Sequence, residues 1–561
     1  MKKLFSILTV LVMLLSSCGI KRIFTNGYDY SLFPTDMVLT GKTKEGMTLY
    51  LIRQDETKMA GVCFIDNHQA VAEMASFCAD SMGATVFVCG GDRYSGKMAV
   101  KKLAKTIVLS LPEMAVWGGG KQKVRLHSHG MLPQKPACLE RYKDRIFDAV
   151  IANKDVQFGS ASGYYVSKPS DYLSKDDYKA WFKEMFSTSV QNNGFLFKHN
   201  QKELPLMLDI YRPTNDNIHK RPLLLFIHGG AFFFGDKENI MQRVITEEVV
   251  KKGFVLASIN YRLGTSISVG AIERTIYREV QDARAALRYL LHHKDLYGID
   301  EEQIYLAGSS AGGIIALTTA FMEPHQVFSS TDKGLLGMRQ DLGGLDDSGN
   351  DFEADIKVAG VISMWGGVTD LKIIDNPIPT LLFHGTADDV VPCDEGLPFK
   401  EAMGGFLHRV ITWFGKIYGS EPIYKRLQSL SVPVKYIPFE GLGHDPCIES
   451  DNSLNEGMDV IRTELADFLY ENVAQHYFSY WLTGYTSVRK ETLTPVYKVD
   501  NLGNATVQWH VEGGFITHQT NDSIRVIWYN SCDTGIITAC ITDDKGISCK
   551  KELAVRIGHQ F

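Results

Sequence analysis

A five-residue turn, Gly308-Ser309-Ser310-Ala311-Gly312, separates two segments of opposite periodicity. In front of it Gln303-Ile304-Tyr305-Leu306-Ala307 is a short apolar run of strand type, and behind it Gly313-Ile314-Ile315-Ala316-Leu317 opens a helix. A strand that bends sharply into a helix needs small residues where backbones approach, and glycine supplies them without steric cost. The turn sets the Ser310 hydroxyl at the end of the strand, and the helix aims its first amides at any anion that forms there. Ser310 is therefore a candidate nucleophile. Glycine and serine are common, so the five letters gain meaning only from this strand-to-helix context.

The surrounding segments repeat the same alternation. Residues 206–211, 223–227 and 254–259 read as strands, and Ile276, Val280, Ala283, Leu287 and Leu290 form one face of a long helix. Further strands are expected at 358–363, 380–384 and 434–439, followed by a closing helix marked by Met458, Ile461, Leu465 and Phe468. Short apolar strands separated by helices predict an α/β fold with a mostly parallel, doubly wound sheet. Functional residues collect at the carboxyl ends of such strands. There the chain carries His228-Gly229-Gly230-Ala231-Phe232, then His384-Gly385-Thr386-Ala387-Asp388-Asp389, then Gly441-Leu442-Gly443-His444. A serine hydroxyl attacks poorly until an imidazole takes its proton, and the imidazole needs a carboxylate to fix its tautomer. Asp388 or Asp389 could supply that carboxylate, and Ser309 competes with Ser310 as the hydroxyl.

In this order, and with Leu208-Asp209-Ile210-Tyr211-Arg212-Pro213, Ile259-Asn260-Tyr261-Arg262-Leu263 and the helix 281–287, residues 195–475 resemble the carboxylesterase and lipase branch of the α/β-hydrolase superfamily. The resemblance implies Ser310 as nucleophile, Asp388 as the orienting acid and His444 as base. It also implies the amides of Gly230, Ala231 and Ala311 as an oxyanion hole. The family more often has a third glycine at Ala231. The implied activity is a serine carboxylic-ester hydrolase working through an acyl-enzyme on small acyl esters or acylated carbohydrates, without metal or organic cofactor. A peptidase of the prolyl-oligopeptidase type and a non-catalytic binding lipoprotein are the alternatives. His228 reads as a structural hydrogen-bonding residue, and Asp282 as a partner for Arg262, Arg278 or Arg284. The stretch 323–354 is longer and more polar than a simple connection and could form a cap over the pocket or a loose surface loop.

At 561 residues the chain exceeds one ordinary core, and about 150 residues per domain predicts several units. A net charge of -6 without a basic stripe argues against nucleic acid as a partner. Lys2 and Lys3 precede an apolar run, residues 4–15, too short to span a bilayer as a mature helix, so 1–18 reads as a secretion signal. Leu15-Ser16-Ser17-Cys18 resembles the lipobox of bacterial lipoproteins, implying Cys18 as a lipidated N-terminus and a protein anchored to the cell-envelope membrane. No cysteines show C-x-x-C spacing, so no metal site is expected. Cys393 and Cys447 each follow a candidate catalytic residue closely, and a disulfide between them is expected to tie the two loops.

Residues 36–190 alternate strand-like and helix-like patterns, with Val71, Met74, Ala75, Cys78 and Met82 at helical spacing, and predict an α/β or α+β domain. Gly91-Asp92-Arg93-Tyr94-Ser95-Gly96-Lys97 has phosphate-loop spacing, but Met98 stands where a magnesium-binding hydroxyl is required. His127 and His129 lack partners for a metal. Residues 485–561 alternate in strands around Trp509, Val511, Val526 and Trp528, and resemble immunoglobulin-like repeats of the polycystic-kidney-disease type.

Overall fold

The computed structural model describes residues 138–166, 202–264, 270–334, 340–399, 415–449, 451, 453–489, 495–528 and 533–558, together with the backbone pairing of strands between residues 37 and 131. Cys18 lies outside the described residues. The chain divides into two compact units, residues 139–479 and residues 1–138 with 480–561.

Residues 139–479 are built on an eight-stranded sheet. Its strands are β1 (Val150–Gly163), β2 (Lys202–Pro213), β3 (Arg221–Ile227), β4 (Val255–Ile259), β5 (Ile299–Ser309), β6 (Val358–Met364), β7 (Thr380–Gly385) and β8 (Val434–Phe439), in the spatial order β1-β2-β4-β3-β5-β6-β7-β8. β1 and β2 pair antiparallel at one edge, and β4 through β8 are parallel. The sequence gives the reason for the buried centre. β3 reads Leu-Leu-Leu-Phe-Ile without a polar break at positions 223–227, and all five side chains are buried, as a strand covered on both faces requires. Each such side chain contributes ~1.5–3 kcal/mol by leaving water.

Helices α1 (Ile240–Val249), α2 (Ala271–His292), α3 (Ala311–Phe321), α4 (Ser420–Ser429) and α5 (Glu456–Tyr477) flank the sheet. The predicted faces are the buried ones: Ile276, Val280, Ala283, Leu287 and Leu290 on α2, and Met458, Ile461, Leu465 and Phe468 on α5. The chain leaves β3 for β4 on one side and returns to β5 on the other. This reversal opens a crevice beyond the carboxyl ends of β3 and β5, which lie side by side through the pair Ile227 and Gly308.

Three expectations are corrected. The sheet begins at residue 150 and not near 195, because β1 pairs along the whole of β2. Of the two readings of 323–354, the described residues do not form a cap over the crevice. They are strapped along α2, where Tyr277 donates to Gly343 O at 2.8 Å, Gln281 to Leu342 O at 2.7 Å and Arg288 to Asp346 at 2.6 Å. The N-terminal part is not α/β or α+β in its described residues. It forms a nine-stranded antiparallel sheet from Met37–Lys42 to Gln122–Met131. Met74–Ala79, read at helical spacing, is a strand paired on both sides. The phosphate-loop spacing falls on Asp92–Gly96, a strand in a hairpin with Thr85–Cys89, and the next element is the strand Ala99–Leu103. No helix follows for a phosphate to rest on.

The C-terminal residues form two four-stranded sheets. One orders Trp481–Thr483, Val496–Asp500, Ser523–Trp528 and Gly514–Gln519, and the other Ser487–Arg489, Ser548–Gly558, Thr534–Thr542 and Thr506–Glu512. The Trp528 ring lies against Gly535, which joins the sheets' inner faces. The disulfide also departs from expectation. Cys138 pairs with Cys540 within its own unit, their Cα atoms 5.8 Å apart, while Cys393 and Cys447 are both free and buried. The Cys393 thiol instead faces the Tyr436 hydroxyl on β8, 2.8 Å away.

Candidate active site

β5 ends at Ser309 and α3 begins at Ala311, so Ser310 alone makes the bend. Its backbone sits at φ 54° and ψ -119°, a left-handed conformation that costs a non-glycine residue ~1–3 kcal/mol. The amide of Ser310 donates to Met364 O at 2.8 Å, and its carbonyl accepts from Ile314 N at 3.1 Å, which hold the bend. The flanking glycines are required by close approach. A Cβ at Gly308 would stand 2.2 Å from Gly312 O, and one at Gly312 would stand 2.1 Å from Ile227 O. Any side chain there would force α3 away from the sheet.

The separated sequence signals converge on this hydroxyl. His444 Nε2 lies 2.9 Å from Ser310 Oγ, and His444 Nδ1 lies 2.7 Å from Asp388 Oδ2. A carboxylate only accepts, so Nδ1 carries the proton and Nε2 presents its lone pair to Ser310 in the neutral ring. The other carboxylate oxygen, Asp388 Oδ1, accepts from Val390 N at 2.8 Å and Val391 N at 3.0 Å. Among the described residues Asp388, and not Asp389, is the carboxylate hydrogen-bonded to the imidazole. The loops are fastened to each other at their bases, since Ala387 N donates to Leu442 O and Gly441 N to Thr386 Oγ1. This bonding performs the tethering expected of a disulfide.

Burial disfavours charge on both partners, yet their attraction outweighs it. Burial pulls the His444 imidazole down, but Asp388, Asp445 and Asp389 raise it to about 9. Burial pushes the Asp388 carboxyl up, while His444 and His384 hold it well below the usual carboxylate range. Each partner therefore favours the charged form of the other.

The turn after β3 faces the elbow. At Gly229 an added Cβ would lie 3.3 Å from Ser310 Cβ. Gly230 O accepts from Phe233 N and Phe234 N, both at 2.9 Å, which rolls the chain into a tight turn. Ala231 and Phe232 sit at φ 52° and 69°. Ala231 thus holds a left-handed conformation that glycine would adopt more easily, and it still presents an amide. No described residue accepts from the amides of Gly230 and Ala231, and Ala311 N belongs to the unpaired first turn of α3. Ala231, Ser310 and Ala311 line one cavity of about 30 Å³.

His228 takes the structural place expected of it. Its Nδ1 lies 2.7 Å from Gly229 O, its ring stacks on Tyr261 at 4.3 Å, and burial pushes it down to about 4. The loop behind it is fastened by Lys237, whose ammonium meets the buried Asp209 at 3.0 Å and whose amide donates to Asn260 Oδ1 at 2.7 Å. Asp282 pairs with Arg262 at 2.7 Å.

The family described as BD-FAE matches residues 208–378. The match covers β2 through β6 and includes the elbow. A probable isoprenylcysteine alpha-carbonyl methylesterase of Arabidopsis thaliana is 26% identical over 240 residues, 38% of this chain and 48% of that one. Esterase-5C of Drosophila pseudoobscura pseudoobscura is 32% identical over 132 residues, 22% of this chain and 24% of that one. The chain thus spans less than half the length of these relatives. Among solved structures, a thermophilic esterase of Thermogutta terrifontis with propionate bound aligns at 18% identity and a TM-score of 0.32, covering 49% of this chain and 90% of that one. A truncated carbohydrate esterase from gut microbiota aligns at 17% identity and a TM-score of 0.35, covering 58% and 97%.

Sequence reasoning missed the apolar wall contributed by Val391 and Phe399, which follow the acid without a motif, and by Ile417 in the short strand Ile417–Tyr418. It also missed His384, fully buried four residues before Asp388 with its Nε2 3.2 Å from Asp388 Oδ2. A polar residue ending an apolar strand was the available signal.

Proposed function

We propose that the chain is a serine hydrolase of short-acyl carboxylic esters. The observation that carries this reading is the hydrogen-bond chain from Ser310 through His444 to Asp388, at 2.9 and 2.7 Å. His444 in its neutral form takes the Ser310 proton as Oγ bonds to the ester carbon. The carbonyl oxygen becomes an oxyanion, which accepts from the Ala311 amide and from the Gly230 and Ala231 amides; each such donor is worth roughly 10² to 10³ in rate. The His444 imidazolium, stabilised by Asp388, then gives the proton to the departing alcohol oxygen and leaves an ester on Ser310. Water repeats the sequence and releases the acid.

The acyl group faces Phe232, Phe233, Ile314, Val391, Phe399 and Ile417, which enclose the cavity of about 30 Å³ beside Ser310. A single water needs ~10–15 Å³ on this scale, so the room suits an acetyl or propionyl group. The partial likeness to a methylesterase and to Esterase-5C agrees with an ester as the bond cleaved.

The deciding experiment compares the native enzyme with Ser310→Ala on p-nitrophenyl acetate, with fluorophosphonate labelling in parallel. Loss of turnover and label in a folded variant is the expected result. Native-level turnover by Ser310→Ala sinks the reading.

A further inference from the structure

Beyond the three residues that face the substrate, a second histidine shares the acid. His384 ends β7 and is fully buried. Its Nε2 lies 2.9 Å from Val391 O and 3.2 Å from Asp388 Oδ2, and its Nδ1 lies 2.8 Å from Ser420 Oγ at the start of α4. A carbonyl and a carboxylate only accept, so the proton of the ring must sit on Nε2. In the neutral ring Nδ1 then accepts from the Ser420 hydroxyl, which fixes that tautomer. Ser420 is itself fully buried, and its place is held by Gly419 N donating to Asp394 O at 2.9 Å.

We propose that His384 is a positioning residue for the acid, its one Nε2–H shared between the Val391 carbonyl and the carboxylate oxygen that orients His444, with Ser420 setting its tautomer. This rests on the reading of Ser310 as nucleophile. The same Asp388 Oδ2 stands 2.7 Å from His444 and 3.2 Å from His384, so two imidazoles, one from the end of β7 and one from the loop after β8, approach one oxygen. Oδ1 is occupied by the Val390 and Val391 amides, and His384 reaches the Val391 carbonyl as well. The carboxylate is thus clamped at both oxygens, and its only contact that changes protonation during turnover is His444. A donor on Oδ2 withdraws part of its negative charge and tempers its hold on the imidazolium. The titratable groups facing His444 are Asp388, Asp445 on its own loop and Asp389; those facing Asp388 are His444, His384, Asp445 and Cys393.

Three variants test this: His384→Leu removes the donor, His384→Gln keeps an N–H near the position of Nε2, and Ser420→Ala frees the tautomer. The expected result is a fall of about tenfold or more in kcat/KM for His384→Leu, with the acid limb of the pH profile moved upward by at least half a unit. His384→Gln should restore the native limb and most of the rate, and Ser420→Ala should show a smaller change in the direction of His384→Leu. Ring ¹⁵N NMR of the native enzyme should find a protonated, non-exchanging Nε2 on His384. An unmoved limb in all three variants overturns the proposal. Equal losses in His384→Leu and His384→Gln with a native limb also overturn it, because packing alone would then explain them. Should His384→Leu not fold, the Gln and Ala variants and the NMR tautomer decide. The rate of Ser310 labelling by a fluorophosphonate separates the two readings: an unlabelled native enzyme defeats the proposed activity, whereas a labelled enzyme with an unmoved limb defeats only the role of His384.

Discussion

The end of β7 and the loop after β8 each bring a histidine to Asp388, and the two are treated differently. His384 is fully buried, with both ring nitrogens engaged by groups that do not react. The His444 side chain keeps 13% of its surface exposed and gives one nitrogen to Ser310. Both contact the same carboxylate oxygen, yet only the His444 ring turns its other nitrogen to Ser310. A fixed imidazole is thereby distinguished from a working one by what its far nitrogen meets: Ser420 and strand packing in one case, a nucleophile at the crevice in the other.

The comparison breaks most visibly at the working ring. His444→Ala removes the base, and a loss of about 10⁵ to 10⁶ in kcat on p-nitrophenyl acetate is expected in stopped assays. Asp388→Asn should cost about 10⁴, because an amide facing Nδ1 can favour the wrong tautomer. A loss of less than tenfold in either variant would dissolve the distinction between the two histidines.

The pH profile sharpens it. His444 must be neutral to accept the Ser310 proton, and its surroundings raise it to about 9. The kcat/KM of the native enzyme should therefore climb about tenfold per pH unit between pH 6 and 8 and level off near pH 9 to 10. In Asp388→Asn the largest attraction is gone while burial and the pull of Asp445 and Asp389 remain, so the residual activity should level off about one pH unit or more below the native enzyme. An acid limb that does not move between the two enzymes would rule out Asp388 as the group that raises His444. The linkage to stability has a definite sign. The raised His444 contributes stability that is complete below pH 6.5 and fades as pH rises through about 9. The depressed Asp388 contributes stability above its ordinary value of 3.8 that fades as pH falls. Melting temperatures of Ser310→Ala should accordingly be highest between about pH 4 and 7, and a maximum at pH 10 would contradict the pairing.

The smallest effect concerns the acyl wall. Phe232→Ala enlarges the cavity beside Ser310, and the ratio of butyrate to acetate turnover should rise about three- to tenfold, within the ~1–3 kcal/mol that added methylenes command in an apolar pocket. An unchanged ratio would place the acyl group elsewhere.

Much of the site could be read along the chain. Ser310, Asp388 and His444 stand at strand ends, and the structure brings them within hydrogen-bond reach of one another. The turn after β3 was legible for the same reason: backbones approach there too closely for a larger residue, so local chemistry leaves a mark in the letters. His384 left only a faint mark, since one polar residue closing a buried strand looks like any packed histidine.

Other features depend on partners far away in the sequence. Met74–Ala79 has a helical spacing of apolar residues, yet two neighbouring strands offer its backbone a full set of hydrogen bonds, and pairing overrides local periodicity. The expected tie between Cys393 and Cys447 gave way to Cys138 and Cys540, 402 residues apart, because connectivity follows from which Cα atoms the fold brings together and not from nearness to a motif. The stretch 323–354 had a composition fit for a lid, but donors on α2 bind its carbonyls and acids and hold it along that helix. By itself, the sequence determined the elbow and the strands beside it, since sterics and short-range periodicity write these locally, while the order Ser310, Asp388, His444 came from a family resemblance. Only the tertiary structure decided which histidine faces Ser310 and which faces Ser420, because the group each far nitrogen meets lies across the fold.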